Sequence, residues 1–341
     1  MTSKSRTKKV TLRDVAREAG VSVATVSYVL NDTGSVGPAV RRKVRTVAQA
    51  LGYRPNHSAK AMRTGRTQTI GLILPDLRNP FFAELAQSVQ NAARRAGYAV
   101  FLFDSQDAAQ AERDGAEELV RYGVDGIVWC PATDQDSLAD HRHDVPIVVV
   151  ARPIPGYDAV SSDYAAGGEI LARYLIARGY RSAGMISGPQ TLSSARLRRD
   201  GLVRGLAGDI PVVWEVENPF SVHLTDAAVD RLAGTDVSVI VCGNDLIAIG
   251  AIRALQMAGR CVPDDVAVVG YDDIPWAGVI MPGLTTVHQH MSRLGETTVD
   301  LLTRRIRDPE APVEQARLEV ALVARGSSAI GTGPPGRLAA G

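Results

Sequence analysis

The feature that most constrains this chain is an alternation of short apolar runs with amphipathic stretches, which begins near Ile70 and continues through most of the sequence. The apolar runs are rich in Val and Ile and too short for buried helices, so they predict strands. Continuous apolar strands joined by helices are typical of parallel sheets with both faces covered, as in doubly wound α/β folds. The predicted strands are Ile70–Leu74, Val100–Phe103, Gly126–Cys130, Ile147–Val150, Ala183–Ile186, Val239–Val241, Ala267–Gly270 and Thr285–Val287.

Stretches with helical periodicity lie between these strands, among them Phe82–Ala96, Ala109–Tyr122, Ala165–Arg178 and Leu246–Ala258. The order of strand, loop and helix starts again near Ala183, which predicts two similar lobes with a cleft between them. A chain of 341 residues is also long enough for more than one domain. We therefore expect an α/β protein with a two-lobed core of doubly wound parallel sheets.

The charge is divided very unevenly along the chain. Residues 1–66 carry a net charge of +11, whereas the remaining 275 residues carry −10, and the two nearly cancel in the overall +1. A small basic segment ahead of an acidic body predicts that the segment meets a polyanion, with nucleic acid as the first candidate.

The basic segment itself predicts three short helices. The first has one apolar stripe and ends at Gly20, and Ser22 is a good N-cap for the second. The third opens at Pro38 and ends at Gly52. The first stripe consists of Leu12, Val15, Ala16 and Ala19, and the buried positions of the second helix are Val26, Val29 and Leu30. Two short helices joined at a glycine form a helix-turn-helix pattern, whose second helix enters the major groove of DNA.

The residues at the start of the second helix are the candidate DNA contacts. Ser22, Thr25 and Asn31 have short polar side chains that suit phosphate oxygens. The side chains expected to face outward are Val23, Ala24, Ser27 and Tyr28. Of these, the valine and alanine can touch thymine methyl groups, and the tyrosine can stack or hydrogen-bond at a base edge. The alternative is a solvated three-helix cap whose basic residues contact nothing, but charge, capping and spacing together favour DNA.

These residues carry a family resemblance. The run Thr11-Leu-Arg-Asp-Val-Ala-Arg-Glu-Ala-Gly-Val-Ser-Val-Ala-Thr-Val-Ser-Tyr-Val-Leu-Asn31 resembles the helix-turn-helix of the lactose/galactose repressor (LacI/GalR) family. The likeness continues through Leu51-Gly-Tyr-Arg-Pro-Asn56 and extends to about Ser328. It implies an N-terminal DNA-binding head followed by a periplasmic-binding-protein-like core.

The resemblance also implies a domain organisation. The head spans 1–53, a hinge helix and linker span 54–66, and the effector-binding and dimerisation core spans 67–330. Within the core, the N-lobe covers about 67–162 plus 291–318, and the C-lobe covers about 163–290 plus 319–330. The Gly/Pro/Ala-rich end, 331–341, is expected to be disordered.

In that family the hinge segment becomes helical when two subunits meet over the minor groove of DNA. The resemblance assigns DNA contact there to Asn56, Ala59 and Met62, with Ala59 packed against its dimer mate. Met62 stands where the family has a leucine that wedges into the central base step. Because methionine is also an apolar wedge, kinking of the DNA is still expected.

Loops at the carboxyl ends of the parallel strands are the expected binding crevice. The first carries Asn79-Pro80-Phe81-Phe82, which resembles the loop of sugar repressors and of periplasmic ribose-binding proteins. Aromatic rings suit the apolar faces of a pyranose or a purine, and Asn79 can bond a hydroxyl group. The alternative is that one of the two phenylalanines, Phe81 or Phe82, belongs to the ordinary core.

Further effector residues are implied by the resemblance. The segment Ser193-Ser-Ala-Arg-Leu-Arg198 is similar to one in which the second arginine forks across effector oxygens. Arg198 is therefore the strongest expected ligand residue, while Arg196 is expected to face a structural partner or solvent. Asp245 is expected to cap the helix that follows it. The other positions that match family contacts are Ser194, Phe220, Asn244, Asp272 and Gln289.

One departure from the family concerns the end of the fourth predicted strand. Sugar binders often carry Asp-Arg there, whereas this chain has Ala151-Arg152. The change removes a hydroxyl acceptor and leaves Arg152, itself an expected effector contact, without an acidic neighbour. We therefore hypothesise that the ligand is less hydroxylated or anionic, such as a sugar acid or a sugar phosphate.

Other classes of protein fit less well. The sequence has no G-x-S-x-G elbow, P-loop or G-x-G-x-x-G, so the signals of hydrolases, NTPases and dinucleotide enzymes are missing. The pairs His141/His143 and His288/His290 have no carboxylate or cysteine at metal-ligand spacing, so neither a metal nor a cofactor is expected. No apolar run is long enough for a membrane span, and three scattered cysteines suit a reducing compartment.

The sequence thus predicts a cytoplasmic, nucleoid-associated regulator that is not an enzyme. We expect a repressor, a homodimer on double-stranded operator DNA, whose affinity is controlled by a sugar-like small molecule in the interlobe cleft. The alternative is a solute-binding or sugar-processing protein with an incidental basic N-terminus, but a solute-binding protein would need export and no signal peptide is seen.

Overall fold

The computed structural model describes residues 10–53 and 65–329. The chain divides into two compact units between Thr67 and Gln68, and each is described by itself. The hinge contacts Asn56, Ala59 and Met62 lie outside the described residues, as does the tail 331–341.

The N-terminal unit contains the three predicted helices, α1 Leu12–Ala19, α2 Val23–Leu30 and α3 Pro38–Ala50. Gly20 ends the first helix in the left-handed region, with φ of 65°, and its N–H returns to the carbonyl of Ala16. The Ser22 hydroxyl accepts from the N–H of Thr25 at 3.0 Å, which confirms the predicted cap of the second helix. The helix-turn-helix prediction is therefore confirmed in its geometry.

The three helices share one small apolar core. Its fully buried members are Val15, Ala19, Val26, Val29 and Val44. Those on the first two helices occupy the predicted inward positions, Val44 comes from the third, and partly buried neighbours such as Leu12 and Leu51 lie at the edges of the cluster. The outward face of α2 does not contribute to this core.

The first lobe of the core, the N-lobe, is built on a six-stranded parallel sheet in the order β11-β5-β4-β3-β1-β2. Its elements are, in chain order, β1 Thr69–Leu74, α4 Pro80–Arg95, β2 Ala99–Asp104, α5 Ala109–Arg121, β3 Ile127–Trp129, β4 Ile147–Val150 and β5 Asp158–Ser162. Strand β11 joins from the far end of the chain. Apolar side chains of β1, β3 and β4 fill the centre of the lobe, where they are almost completely buried.

The second lobe, the C-lobe, has a four-stranded parallel sheet in the order β7-β6-β8-β9. Its elements are α6 Tyr164–Ala177, β6 Ala183–Ser187, α7 Ser193–Leu206, β7 Val212–Glu217, α8 Asp226–Ala233, β8 Val239–Cys242, α9 Asp245–Met257, β9 Ala267–Val269 and β10 Thr286–His288. The strand order in both lobes reverses beside the first strand, since β2-β1-β3 and β7-β6-β8 have the same arrangement. Ligands of such sheets bind at the carboxyl ends of the strands next to this reversal.

The last part of the chain returns to both lobes. Helix α10, Met291–Arg307, packs on α4 of the N-lobe, where the Ser88 hydroxyl donates to the carbonyl of Met291 at 2.8 Å. Strand β11, Gln315–Leu318, completes the N-lobe sheet beside β5. Strand β12, Ala321–Val323, then pairs with β10 beside the C-lobe. Each lobe is therefore made from segments far apart in sequence.

Two predictions about the strands need correction. Strand β2 was expected to be covered on both faces, but it lies at the sheet edge and exposes Phe101 and Leu102. The run Thr285–Val287 was expected to be a strand like the others, but most of it pairs antiparallel with β12. Both differences reflect tertiary position, which an apolar run does not encode. Within the described ranges, no helix combines the length and the apolar composition that a membrane crossing requires.

Candidate functional site

The cleft between the two lobes has two connected parts. The outer compartment has a volume of about 590 Å³ and is lined by charged and polar side chains together with Phe82, Phe220 and Trp276. The inner compartment is narrower and is bounded by the loops that follow the strands of both sheets. Nine of the ten predicted effector residues line this inner compartment: Asn79, Phe81, Phe82, Arg152, Ser194, Arg198, Phe220, Asn244 and Asp272.

A buried ion pair forms the centre of the C-lobe wall, by which we mean Arg198, Asn244, Asp272 and Gln289. Arg198 Nη2 lies 2.9 Å from Asp272 Oδ1, and both side chains are more than nine-tenths buried. Gln289 Nε2 donates to the same oxygen at 2.6 Å, so the tenth predicted residue stands behind the carboxylate rather than in the compartment. The arrangement holds a carboxylate and a guanidinium side by side, which suits a ligand with neighbouring hydroxyl groups.

Aromatic rings surround the Arg198 guanidinium. Its central carbon lies 4.0 Å from the ring centroid of Tyr271, 5.0 Å from that of Tyr164 and 5.9 Å from that of Phe220. Such contacts stabilise a desolvated cation. The sequence reasoning missed Tyr164, which also lines the inner compartment, because its place at the first turn of a helix looks like ordinary core.

Close helix packing places Arg198. A side chain at Gly168 on α6 would come within 2.4 Å of the Arg198 carbonyl oxygen, and one at Gly201 on α7 would come within 2.1 Å of the Ala165 carbonyl oxygen. Only glycine allows the two helix backbones to approach this closely. The pair of glycines therefore brings the arginine against the C-lobe loops.

Burial and neighbouring charges act in opposite directions on the pKa values of Asp272 and Arg198. Burial raises the pKa of Asp272, although Arg198 and hydrogen bonds from Gln289 and Asn244 oppose the rise. For Arg198, the burial that lowers its pKa is outweighed by Asp272 and the neighbouring tyrosines, so the net pKa is raised. The Asp272 backbone has φ of 116°, a strained conformation that these contacts hold in place.

The expected role of Asp245 is wrong. Asn244 is the N-cap of α9, and its side-chain oxygen accepts from the N–H of Ile247 at 3.0 Å. Asp245 is instead fully buried, where its carboxylate accepts from Thr286 Oγ1 at 2.6 Å and from the N–H of Ile274 at 2.9 Å. Burial, and then the charge of Asp272, raise the pKa of this carboxyl well above its ordinary value.

The N-lobe wall consists of Asn79, Phe81, Phe82 and Arg152. Asn79 caps α4, its side-chain oxygen accepting from the N–H of Phe81 at 3.1 Å, which leaves the amide nitrogen for a ligand. Phe81 and Phe82 pack edge to face with centroids 5.2 Å apart, and both line the inner compartment while also belonging to the core. The two interpretations of these rings, ligand contact and core, are therefore compatible.

Several buried polar atoms of the site have no partner. Among the described residues, the buried side-chain atoms without a hydrogen bond include Arg198 Nε, Tyr271 Oη and Gln289 Oε1. Unpaired polar atoms are costly in a protein interior, and a site of this kind is where a polar ligand or ordered water satisfies them.

A group of polar contacts joins the two lobes at the rim of the cleft. Asp134, in the N-lobe loop after β3, accepts from the Ser193 N–H at 2.8 Å and from its hydroxyl at 2.9 Å. Arg196 Nη2 lies 2.9 Å from the same carboxylate. We call Asp134, Ser193 and Arg196 the rim latch. Arg196 thus has the structural partner that the sequence predicted.

The candidate DNA-reading surface is exposed. Val23 and Tyr28 are 42% and 49% accessible, and the Tyr28 ring packs beside Gly34. Ser22 and Ala24 are exposed as well, whereas Thr25 and Ser27 are partly buried. Asn31 Nδ2 donates to the Ser27 carbonyl at 2.8 Å. All seven predicted residues of this surface lie on or beside α2.

The two histidine pairs do not form a metal site in the described part of the chain, which holds no group of three or more suitable ligands. His141 Nδ1 lies 2.9 Å from Asp144, and His288 Nδ1 lies 2.9 Å from Asp273. One histidine of each pair is thus part of a local polar contact.

The fold and the cleft define a class: a small-molecule-binding core of the periplasmic-binding-protein type joined to a helix-turn-helix unit. Residues 67–325 match the family described as "Periplasmic binding proteins and sugar binding domain of LacI family", and residues 11–56 match "Bacterial regulatory proteins, lacI family". The chain belongs to the LacI family of transcriptional regulators.

Relatives with known roles agree with this assignment. The ribose operon repressor of Escherichia coli K12 is 34% identical, covering 93% of this chain and 99% of its own. The transcriptional repressor PurR of Photobacterium profundum is also 34% identical, over 87% and 92% of the two chains. A Lac repressor dimer bound to operator and an anti-inducer superimposes with a TM-score of 0.80 at 28% identity, covering 94% and 99%. An Enterococcus faecium LacI-family regulator with bound ribose gives 0.68 at 27% identity, covering 76% and 98%.

Proposed function

We propose that this regulator is a homodimeric repressor whose hold on operator DNA is controlled by a sugar-like effector in the inner compartment. The observation that carries the proposal is the convergence of nine predicted effector residues, from both lobes, on one compartment. They come from loops separated by up to about 190 residues in sequence, and no requirement of the fold brings such polar and aromatic groups together.

We assign DNA contact to the seven residues of the α2 surface. Ser22, Thr25 and Asn31 bind phosphate oxygens, while Val23, Ala24, Ser27 and Tyr28 face the major groove, where base edges are read. The exposure of this face and the +11 charge of residues 1–66 support the assignment. Asn56, Ala59 and Met62 are proposed as hinge contacts from the family resemblance.

The effector is proposed to be a sugar or sugar derivative. Relatives named for ribose and a ribose-bound neighbour support a polyhydroxylated ligand. In the inner compartment its ring would lie among the phenylalanines of both lobes, and its hydroxyl groups would meet Asp272, Arg198 and Asn244. Ser194, at the start of α7, would add a hydroxyl contact, and Gln289 would hold Asp272 in position.

A homodimer is supported by exposed apolar side chains on both lobes. Phe101 and Tyr122 pack edge to face on the N-lobe surface and are 46% and 61% exposed. On the C-lobe, Met257, Val279 and Met281 are about four-fifths exposed. Apolar groups of this size are typical of interfaces, and a dimer also matches the two half-sites of an operator.

We further propose that the protein works in the cytoplasm and catalyses no reaction. The acid at the centre of the cleft is committed to Arg198 and Gln289, so it is not a free general base. This favours reversible binding over chemistry, and the helix-turn-helix disfavours the alternative of an exported solute-binding protein.

The test begins with operator selection from a random duplex library by the full chain, followed by affinity measurements against salt. Affinity should fall steeply as salt rises, because phosphate contacts release counterions. Tyr28→Ala should reduce the preference for the selected sequence more than it reduces non-specific binding. The control is Gln49→Ala, at an exposed position of α3, which should change neither. A flat salt response would rule out the DNA-binding proposal.

The same operator then reports the effector. A true effector should change operator affinity about 5- to 150-fold, and the operator should change effector affinity by the same factor. Arg198→Ala should abolish that response while leaving operator binding in place. Loss of operator binding in this variant would instead indicate a structural role for the cleft.

A further inference from the structure

Arg152 is a buried cation without an acidic partner. It follows β4 directly, and only 6% of its surface is accessible. Its Nη1 donates to the carbonyl oxygens of Pro131 and, at 3.3 Å, of Ala132. Among the residues that the structure describes, no carboxylate lies within ion-pair distance of the guanidinium, and no acceptor is found for Nε or Nη2.

The other deeply placed arginines of this protein are paired differently. Arg198 meets Asp272 at 2.9 Å, and Arg305 meets the buried carboxylate of Asp158 at 2.7 Å. Burying a charge is costly unless it is paired, and carbonyl oxygens orient a guanidinium without neutralising it. Arg152 therefore stands out as a buried cation held by carbonyl oxygens, without a carboxylate in direct contact.

The acids around this arginine do not form an ion pair with it. The buried carboxylate of Glu112 accepts from the N–H of Ala132 at 2.6 Å and from the Ser137 hydroxyl. Asp76 is bound to Arg78, with Nε–Oδ1 2.9 Å and Nη2–Oδ2 3.2 Å. Asp107 lines the outer compartment, and burial, followed by the charge of Asp76, raises its pKa and so disfavours its charged form. Arg152 opposes that rise only from a distance.

The residue just before Arg152 offers the natural place for an acid. Ala151 lines the inner compartment and has φ of 68°, a left-handed conformation that asparagine and aspartate adopt much more readily than alanine. The backbone is thus shaped for a side chain with an oxygen at this point, yet the chain carries a methyl group there. The negative charge must then come from outside the protein.

The geometry points to an effector that carries an anionic oxygen group, a carboxylate or a phosphate, which binds the guanidinium of Arg152 where the inner and outer compartments meet. Arg152 lines both compartments, so the anion can sit at their junction while the ring of the same molecule occupies the inner part. The free Nε and Nη2 can hold two anion oxygens side by side. This inference rests on the proposed effector function and narrows the class of ligand from sugars in general to their acids or phosphates.

The test uses the full chain and matched pairs of probes that differ in charge. D-Ribose, D-ribonate and D-ribose 5-phosphate form one set, and D-glucose, D-gluconate and D-glucose 6-phosphate form another, with inorganic phosphate as the bare anion. Binding is measured by titration calorimetry. We expect an anionic member to bind about 10- to 100-fold more tightly than its neutral counterpart, as for a charge-assisted hydrogen bond. A preference for the acid or for the phosphate then identifies which anion is read.

Three variants test whether the preference for anionic probes depends on Arg152 and on the residue before it. Arg152→Gln should weaken the anionic probe about 10- to 100-fold and should weaken the neutral sugar by a smaller factor, so that the preference for the anion is lost. Ala151→Asp should reverse the preference by supplying the missing charge. Ala151→Asn is its matched control, since it has the same shape and the same tolerance of the left-handed backbone but no charge, and it should keep the anion preference.

The outcomes separate this inference from the proposed function. If a neutral sugar binds best and releases or tightens operator DNA, the regulator stands and the anionic effector is wrong. If wild type and Arg152→Gln respond alike to every anion, including inorganic phosphate, the inference is also wrong. If an anionic probe binds through Arg152 but never changes operator affinity, the site is right and the regulatory proposal fails.

Discussion

The two walls of the cleft differ in how their buried arginines are paired. On the C-lobe wall, Arg198, Asp272 and Gln289 bind one another, and aromatic rings enclose the cation. On the N-lobe wall, Arg152 is at least as deeply buried but is held only by carbonyl oxygens, beside two phenylalanines and an asparagine. The cation of one wall is paired with a carboxylate of the same lobe, whereas the cation of the other has no carboxylate in an ion pair with it.

Because of this difference in charge pairing, we expect the two lobes to contribute differently to ligand recognition. A wall that satisfies its own charges is rigid before the ligand arrives, so it can select geometry at little entropic cost. A wall with an uncompensated charge gains stabilisation when a complementary ligand arrives, so it makes closure depend on ligand chemistry. Binding that favours one arrangement of the lobes can thereby shift a population of states.

The largest expected effect is the loss of stability when the ion pair of the C-lobe wall is broken. Asp272→Asn keeps the shape of the side chain but leaves the Arg198 cation buried and unpaired, so we expect unfolding free energy to fall by about 3–5 kcal/mol. Arg152→Gln, the matched change on the N-lobe wall, breaks no ion pair and should cost less than about 1 kcal/mol. Urea unfolding of the full chain measures both, and equal losses would contradict the contrast between the walls.

A smaller effect is expected at the rim latch. Asp134→Ala removes an ion pair that is partly exposed and a bond to the Ser193 N–H, together worth about 1 kcal/mol. Amide exchange at Ser193 should therefore become about fivefold faster, because this N–H is protected only by a contact across the cleft.

The control for the latch is Arg199→Ala. Arg199 is exposed to a similar degree as Arg196, but it pairs with Glu215 inside the C-lobe, at 2.7 Å. Its loss should leave exchange at Ser193 unchanged. If both variants accelerate exchange alike, the protection comes from α7 itself and the rim contact does not join the lobes.

Local signals predicted the helix-turn-helix unit almost completely. Gly20, Ser22 and Pro38 each mark a helix boundary through backbone geometry or capping, which depends on a few neighbouring residues. Most core strands were also predictable because their apolar runs are continuous. Polar or short strands such as Asp158–Ser162 and Gln315–Leu318 were missed, since their pairing depends on segments distant in sequence.

The side-chain contacts of the cleft were less predictable from the sequence than the fold was. Family resemblance brought forward nine residues that share the inner compartment, but it could not show that Asp272 and Arg198 bind each other or that Arg152 lacks an acid. Those facts depend on side-chain distances across loops that lie far apart in the chain. The cap of α9 is Asn244 and not Asp245. Both residue types are good caps, so the local sequence does not decide between them, and the difference follows from the burial of Asp245.

A further expected effect is a change in the slope of stability against pH, and it concerns the buried carboxyl of Asp245 behind the C-lobe wall. Burial raises the pKa of Asp245 well above its ordinary value, so the folded state holds this proton more tightly than the unfolded state does. The resulting stabilisation is complete below the unfolded pKa and is lost as pH rises through the folded one. Wild-type stability should therefore decline with rising pH relative to Asp245→Asn, which cannot ionise but can still accept from Ile274 and donate to Thr286. Urea unfolding from pH 4 to pH 8 measures this, with the exposed Asp209→Asn expected to follow wild type. Parallel curves for wild type and Asp245→Asn would mean that this carboxyl keeps its ordinary pKa, and that the ion pair in front of it is supported by packing and not by a neutral acid.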